Sequence, residues 1–161
     1  MGCANSIVDV HIEDFPLRKC DVKNTEKFLP KVSRVRVISV YDGDTVTVAA
    51  RLGHRGKPYQ FKVRLNRIDT AEMRSHDAAE KQAALEAKEA LSTRVLNKGV
   101  TLKHVSYEKY GRILADVYYK GVCINDWMLS EKFAVPYDGG KKVKVDWANY
   151  RHPRGNPLLG R

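Results

Sequence analysis

The stretch Arg34-Val-Arg-Val-Ile-Ser-Val-Tyr-Asp-Gly-Asp-Thr-Val-Thr-Val-Ala-Ala-Arg-Leu52 decides the fold of this chain. It contains two runs rich in β-branched residues, in which apolar and polar positions alternate. The Asp42-Gly-Asp44 turn between them is of the short, glycine-containing kind that joins antiparallel strands. The stretch therefore predicts a β-hairpin with two carboxylates in its turn.

A third strand is predicted after the loop at 53–58, which contains glycine and proline. Apolar side chains at the odd positions from Tyr59 to Leu65 alternate with polar ones, so this strand has one core face and one polar face. Arg64 lies on the polar face. We expect its side chain to point away from the core, where it is free to bind a ligand.

The rest of the chain predicts two helices and two further strands. A long helix over Asp77–Leu96 begins with a capping-box pattern and has Gly99 just past its end. Strands follow at Val100–Ser106 and Arg112–Tyr119, and Asn125 is expected to cap a short helix that ends near Phe133. Five short strands with a helix after the third predict a mainly β, α+β fold: a five-stranded OB-fold β-barrel with two or three accessory helices.

Length and composition indicate one basic domain. The chain has 161 residues and a formal net charge of +10, which favours a polyanion such as nucleic acid, or an anionic membrane face, as its partner. Residues 1–31 lack a sustained period and predict an N-terminal arm or add-on. Residues 32–140 form the predicted barrel domain, and 141–161 a basic tail predicted to be irregular.

The cysteines and the N-terminal residues indicate where in the cell the protein is expected to be. The chain has three cysteines, Cys3, Cys20 and Cys123, and their wide spacing does not suggest a zinc-binding site. We expect them to be reduced thiols of an intracellular protein. No run approaches the ~20 apolar residues of a membrane-spanning helix. Residues 1–10 lack the pattern of a secretory signal.

The first six residues, Met1-Gly-Cys-Ala-Asn-Ser6, fit the pattern for N-myristoylation at Gly2. Cys3 stands where a palmitoyl chain could be added, and two acyl chains would anchor the protein to a membrane surface. This expectation holds only for a eukaryotic host, and coincidence is the other explanation of the pattern.

Functional side chains are concentrated in the segment Arg64-Leu-Asn-Arg-Ile-Asp-Thr-Ala-Glu72. Asp42-Gly-Asp-Thr45 precedes it and Lys109-Tyr-Gly-Arg112 follows it. Carboxylates that could hold a hard cation, together with arginines shaped for phosphate, are the parts of a metal-dependent phosphodiesterase. All-oxygen ligation without His or Cys favours Ca²⁺ or Mg²⁺ over Zn²⁺.

These segments, with Ile124-Asn125, resemble the staphylococcal nuclease (thermonuclease) family in order and placement, from about Val32 to Tyr137. The resemblance implies an OB-fold domain in which Asp44 and Asp69 bind Ca²⁺ with the backbone carbonyl of Thr70; Mg²⁺ and Mn²⁺ are the alternative ions. It implies hydrolysis of DNA and RNA with little sequence preference, leaving 3′-phosphate ends. No obligate protein partner is implied.

The resemblance also implies a role for each remaining site residue. Arg64 and Arg112 would clamp the scissile phosphate, and Glu72 would act as general base or orient the attacking water. The candidates for contacts to a neighbouring phosphate and for stacking on a base are Lys109, Tyr110 and Tyr137. One departure is Ala71, which stands where the family usually has proline.

Two other interpretations of the sequence exist. The run Val37–Val46 also fits the Asp-x-Asp opening of haloacid-dehalogenase-type phosphatases, but that fold needs a βα unit after the motif, where this chain predicts a strand. A non-catalytic OB-fold module that only binds nucleic acid is the second alternative. Such a module would be expected to lack some of the two aspartates, two arginines and the glutamate, all of which are present here.

Overall fold

The structure is a computed structural model that describes residues 16–53, 56–108 and 111–151. The predicted site residues Lys109 and Tyr110, and the predicted acylation sites Gly2 and Cys3, lie outside these ranges. The strands are β1 (Arg34–Val40), β2 (Thr45–Arg51), β3 (Pro58–Leu65), β4 (Ile68–Asp69), β5 (Gly99–Tyr107), β6 (Ile113–Tyr119), β7 (Val122–Cys123) and β8 (Val135–Pro136). The helices are α1 (Ala78–Val95), α2 (Ile124–Ser130) and α3 (Trp147–Arg151), with a 3-10 turn at Pro16–Lys19.

Five of these strands close into a barrel. Neighbouring strands pair antiparallel from β3 through β2 and β1 to β5 and β6. The barrel closes where β3 pairs with β6 in parallel, with Val63 opposite Ile113. This confirms the predicted five-stranded OB-fold barrel with accessory helices. The strand β2 directly after the acidic turn also excludes the dehalogenase-type interpretation, which requires a helix there.

The barrel interior and one face of α1 share a single apolar core. Val37, Val46, Val48 and Val63 are completely buried, as the alternation of the sequence predicted. The apolar stripe of α1 packs onto the same cluster through Ala87, Leu91 and Val95. The core therefore fixes α1 against the barrel. None of the helices in the ranges that the structure describes is long and apolar enough to cross a membrane.

The bounds of α1 and its N-cap at Asp77 agree with the prediction, whereas Gly99 does not terminate the helix. The Asp77 carboxylate accepts hydrogen bonds from the backbone N–H groups of Ala79 and Glu80, at 2.8 and 3.0 Å. The helix ends before Asn97, which has a φ of 60°, and Gly99 begins β5 instead of terminating the helix. Asn tolerates the left-handed conformation well enough to replace glycine at a helix end.

Asn125 does not cap α2, contrary to the prediction. It lies inside the helix and is completely buried. Its side-chain oxygen accepts from Val117 N–H at 2.9 Å, and its amide nitrogen donates to the carbonyl oxygen of Asn66 at 2.8 Å. A buried amide is stable only when its donors and acceptor are paired, and here it links α2 to the loop between Arg64 and Asp69.

The tail predicted to be irregular contains the short helix α3. Trp147 is buried in a small cluster with Ala83 and Ala84 of α1, and Arg151 pairs with Glu86 at 3.1 Å. Strand β8 pairs with β4 and places Val135 opposite Asp69. Residues 138–146, here called the strap, therefore run between two attachment points, one on β4 and one on α1.

Candidate active site

The turn between β1 and β2 is held tightly against its neighbours. A Cβ atom added at Gly43 would lie 2.8 Å from the Ala87 Cβ atom and 2.9 Å from the Thr70 Cγ2 atom, so only glycine fits there without displacement. The Asp44 N–H donates to Asp42 Oδ1 at 3.1 Å. Close packing at Gly43 therefore places Asp44 beside Thr70, although the two residues are distant in sequence.

Arg64 lies between the two predicted metal carboxylates. Its Nη1 atom pairs with Asp44 Oδ2, and its Nη2 atom lies 2.9 Å from Asp69 Oδ1. The residue is only 7% exposed, which corrects the expectation of an arginine free on the polar face of its strand. The alternation of β3 correctly places Arg64 on the face of the strand away from the core. At this end of the barrel, however, Asp44 and Asp69 cover that face.

Negative charge accumulates around Arg64. Burial alone would lower the pKa of Arg64, but Asp44 and Asp69 outweigh it and raise this pKa above its ordinary value. Burial, followed by repulsion from Asp44, raises the pKa of Asp42 to about 6. The turn therefore holds more negative charge than Arg64 alone neutralises.

Glu72 and Lys142 meet at the rim of this cluster. Lys142 Nζ lies 2.6 Å from Glu72 Oε1 and 3.1 Å from Asp69 Oδ1, although the residue lies on the strap. The Glu72 side chain is 63% exposed, so it can reach a ligand. Lys142 could not be predicted from the sequence, because its only signal is a pair of lysines in a basic segment of the kind that is usually solvated.

The loop that carries Thr70 and Glu72 is stabilised by packing. Ala71, the residue that replaces the expected proline, is buried against Ala83, Ala84 and Trp147. Glu80 accepts a hydrogen bond from Ser75 Oγ at 2.6 Å and so holds the following residues on α1. Tertiary contacts therefore restrain this loop without the stiffness that proline would give.

Arg112 and Tyr137 complete the set of predicted residues that the structure describes. The Nε and Nη2 atoms of Arg112 bind the two carboxylate oxygens of Glu108 at 2.9 and 2.8 Å, and Nη1 is not part of this pair. The Tyr137 ring centre lies 5.7 Å from the Arg64 guanidinium carbon, within the range of a cation–π contact. Arg112 is the more exposed of the two predicted arginines.

A cleft of about 580 Å³ brings these side chains together. The predicted residues that line it are Asp44, Arg64, Asp69, Thr70, Glu72, Arg112 and Tyr137. Asp42, Glu108 and Lys142 also line it. Carboxylates, arginines and an exposed glutamate thus share one solvent-accessible space, which is the arrangement that hydrolysis of a phosphate ester requires.

The donor set fits a hard cation in its chemistry. Asp44 and Asp69 would be its carboxylate ligands, and the backbone carbonyl of Thr70 would be the third protein ligand. In the part of the chain that the structure describes, no three His, Cys, Asp or Glu side chains form a group that could hold a metal. Because Ca²⁺ takes about 6–8 oxygen ligands, water or substrate would have to supply the remainder.

Together, the fold and the cleft define an OB-fold domain with a candidate site for phosphate-ester chemistry. The model of the staphylococcal nuclease homologue family matches residues 62–150, more than half of the chain. The chain belongs to this family. The matched range includes the predicted residues from Arg64 to Tyr137, whereas the hairpin with Asp44 precedes it.

A relative in Haemophilus influenzae (strain ATCC 51907 / DSM 11121 / KW20 / Rd) is described as an uncharacterized endonuclease. It is 36% identical to this chain over 104 residues, which is 63% of this chain and 51% of the relative. The chain therefore spans about half the length of this curated relative.

Proposed function

We propose that this protein is a Ca²⁺-dependent nuclease that hydrolyses phosphodiester bonds of DNA and RNA with little sequence preference, leaving 3′-phosphate ends. The observation that carries the proposal is the single cleft shared by the two aspartates, the two arginines and Glu72. Family membership and the endonuclease description of the Haemophilus relative support it.

In the proposed mechanism, Asp44, Asp69 and the Thr70 carbonyl would hold a cation, whose chemical contribution would be Lewis-acid polarisation of the phosphate. Arg112 donates to the phosphate oxygens, since Glu108 leaves its Nη1 atom available. Glu72 accepts a proton from the attacking water or orients that water.

Arg64 has a different part in this mechanism. It braces the two metal carboxylates, because each of its terminal nitrogens already contacts one of them. Charge that builds up on the phosphate in the transition state would therefore strengthen the hydrogen bonds of Arg112, while Arg64 keeps the carboxylates in place.

A non-catalytic nucleic-acid-binding module is the second candidate function. The contact of Lys142 with Asp69 favours it, because an ammonium group at this position competes with a metal ion for that carboxylate. In such a module the barrel would bind nucleic acid without cutting it.

A cleavage assay with end-group analysis distinguishes these candidates. The full chain is incubated with DNA and RNA in Ca²⁺, Mg²⁺, Mn²⁺ or chelator, beside Glu72→Gln and the matched surface variant Glu89→Gln. We expect cleavage with Ca²⁺ that is lost with chelator and in Glu72→Gln, but retained in Glu89→Gln. Protein that binds DNA and never cuts it with any of these ions would overturn the enzyme proposal, and 5′-phosphate ends would overturn the proposed product.

Replacement of Lys142 is expected to strengthen divalent-cation binding. Its ammonium group lies 3.1 Å from Asp69 Oδ1, and a second cation beside it is opposed by repulsion of about 1 kcal/mol or more even in a water-like dielectric. Lys142→Met should therefore bind Ca²⁺ on the order of tenfold more tightly, by calorimetric titration without substrate. The matched control is Lys141→Met, the exposed neighbour on the strap; equal affinities in the two variants would contradict this competition.

A further inference from the structure

A group of three arginines lies at the end of the barrel opposite the cleft. Arg34 and Arg36 begin β1, and Arg51 ends β2, whereas the acidic turn lies at the other ends of the same strands. They line a groove of about 730 Å³, here called the arginine groove. Seven-residue strands that rise about 3.3 Å per residue place this groove roughly 20 Å from the cleft.

Strand register places the three arginines on one outer face. Arg34 and Arg36 are two residues apart on β1, and Arg36 lies opposite Ala49 of β2. Arg51 is two residues beyond Ala49 and therefore shares its face. All three arginines are exposed. The smaller side chains of Ala49 and Thr101 also line the groove.

The arginine groove lacks carboxylate partners. Among the described residues no Asp or Glu forms an ion pair with Arg34, Arg36 or Arg51, whereas Arg67 and Arg112 each pair with a carboxylate. Like charges on neighbouring strands destabilise a sheet. Such a cluster gains no ion-pair stabilisation from the described residues, and an anionic ligand would offset the repulsion between its charges.

The outer face of the barrel connects the groove with the cleft. Lys62 of β3 is exposed and lies opposite Thr47 of β2, between the two sites. Arg64 is two residues further along β3, on the same side as Lys62. A strand of phosphates that runs along β2 and β3 would therefore meet the three arginines at one end, Lys62 in the middle and the cleft with Arg112 at the other end.

We propose that the arginine groove is a second phosphate-binding site, which holds the sugar-phosphate backbone of a polynucleotide whose scissile bond lies in the cleft. The inference rests on the proposed function for the identity of the polyanion. Planar guanidinium groups suit phosphate oxygens, and contacts to the backbone carry no sequence preference. Long strands reach both sites, whereas a strand of a few nucleotides fills the cleft alone.

The test compares the full chain with Arg34→Gln/Arg36→Gln/Arg51→Gln. Binding of single strands of about 6 and about 24 nucleotides is followed by fluorescence anisotropy in chelator over a range of salt concentrations. We expect the triple variant to bind the long strand about 10- to 100-fold more weakly, with the slope of log K against log salt smaller by about 2. Binding and Ca²⁺-dependent cleavage of the short strand should be unchanged.

The matched control removes three exposed positive charges elsewhere, at Lys81, Lys120 and Lys132. Equal weakening in this control would overturn the site, because net charge would then explain the effect. A triple variant that loses binding to anionic lipid vesicles while it keeps full affinity for the long strand would also overturn the proposal. If the triple variant cleaves DNA normally and binds the long strand as tightly as the wild type, the groove is not a phosphate-binding site but the proposed function stands. If the wild-type chain neither binds nor cuts nucleic acid, the proposed function is overturned as well.

Discussion

Arg112→Ala is expected to lower the rate of phosphodiester cleavage by about 10²–10³ while the fold remains intact. Arg112 is anchored through its Nε and Nη2 atoms to Glu108, so its guanidinium group is already oriented before substrate binds. A donor that is fixed in advance stabilises transition-state charge without reorganisation. Arg112→Lys should recover little of the rate, since an ammonium group lacks the planar fork.

The measurement for Arg112 is the single-turnover cleavage rate at saturating Ca²⁺. Arg94→Ala is the matched control, because Arg94 lies over the Trp127 ring and does not line the cleft. Thermal unfolding of both variants checks the fold, and the loss of the partly buried Arg112–Glu108 pair should cost about 1–2 kcal/mol, between the values for exposed and for buried pairs. A normal cleavage rate in Arg112→Ala would contradict its assignment to the phosphate.

Arg64→Ala is expected to reduce the free energy of unfolding by about 3–5 kcal/mol in the absence of metal. Arg64, Asp44 and Asp69 are all buried, and each carboxylate pairs with a different nitrogen of the same guanidinium group. Removal of the arginine leaves two buried carboxylates without its compensating charge. Added Ca²⁺ should restore part of the loss, because the cation would take over this compensation.

Urea unfolding in chelator and in Ca²⁺ measures this effect. The variant Asp44→Asn/Arg64→Leu/Asp69→Asn removes the whole charged cluster and should be more stable than Arg64→Ala, since it leaves no unpaired charge. An unfolding free energy for Arg64→Ala equal to that of the wild type would show that Arg64 does not brace the carboxylates.

The barrel could be predicted from sequence because its signals are local. Alternation in β1, β2 and β3 and the N-cap at Asp77 depend on neighbouring residues, and the structure has them. Asn125 shows the limit of such signals. A position that resembles a cap is instead decided by partners on β6 and in the loop after β3, which no local pattern encodes.

Most of the side chains that line the cleft could be predicted from the sequence, but their contacts could not. Strand alternation assigns Arg64 to a face, but it cannot show that Asp44 and Asp69 cover that face. Lys142 is 70 residues from Glu72 in the chain, and α3 is too short to produce a periodic pattern. The position of the strap could not be predicted from the sequence, because the packing of Trp147 that fixes its end is a tertiary contact.

The attachment of the strap at both ends makes Lys142 a tethered ion. A tethered group has an effective concentration that depends on its linker and reaches the millimolar range for short flexible links. Under the proposed function, Na⁺ or K⁺ would compete with this tethered ammonium group at Asp69, and Ca²⁺ would bind only where its attraction to Asp44 and Asp69 exceeds that of Lys142 for Asp69. The length of the strap would then set the calcium concentration at which the site fills, even though the strap supplies no ligand.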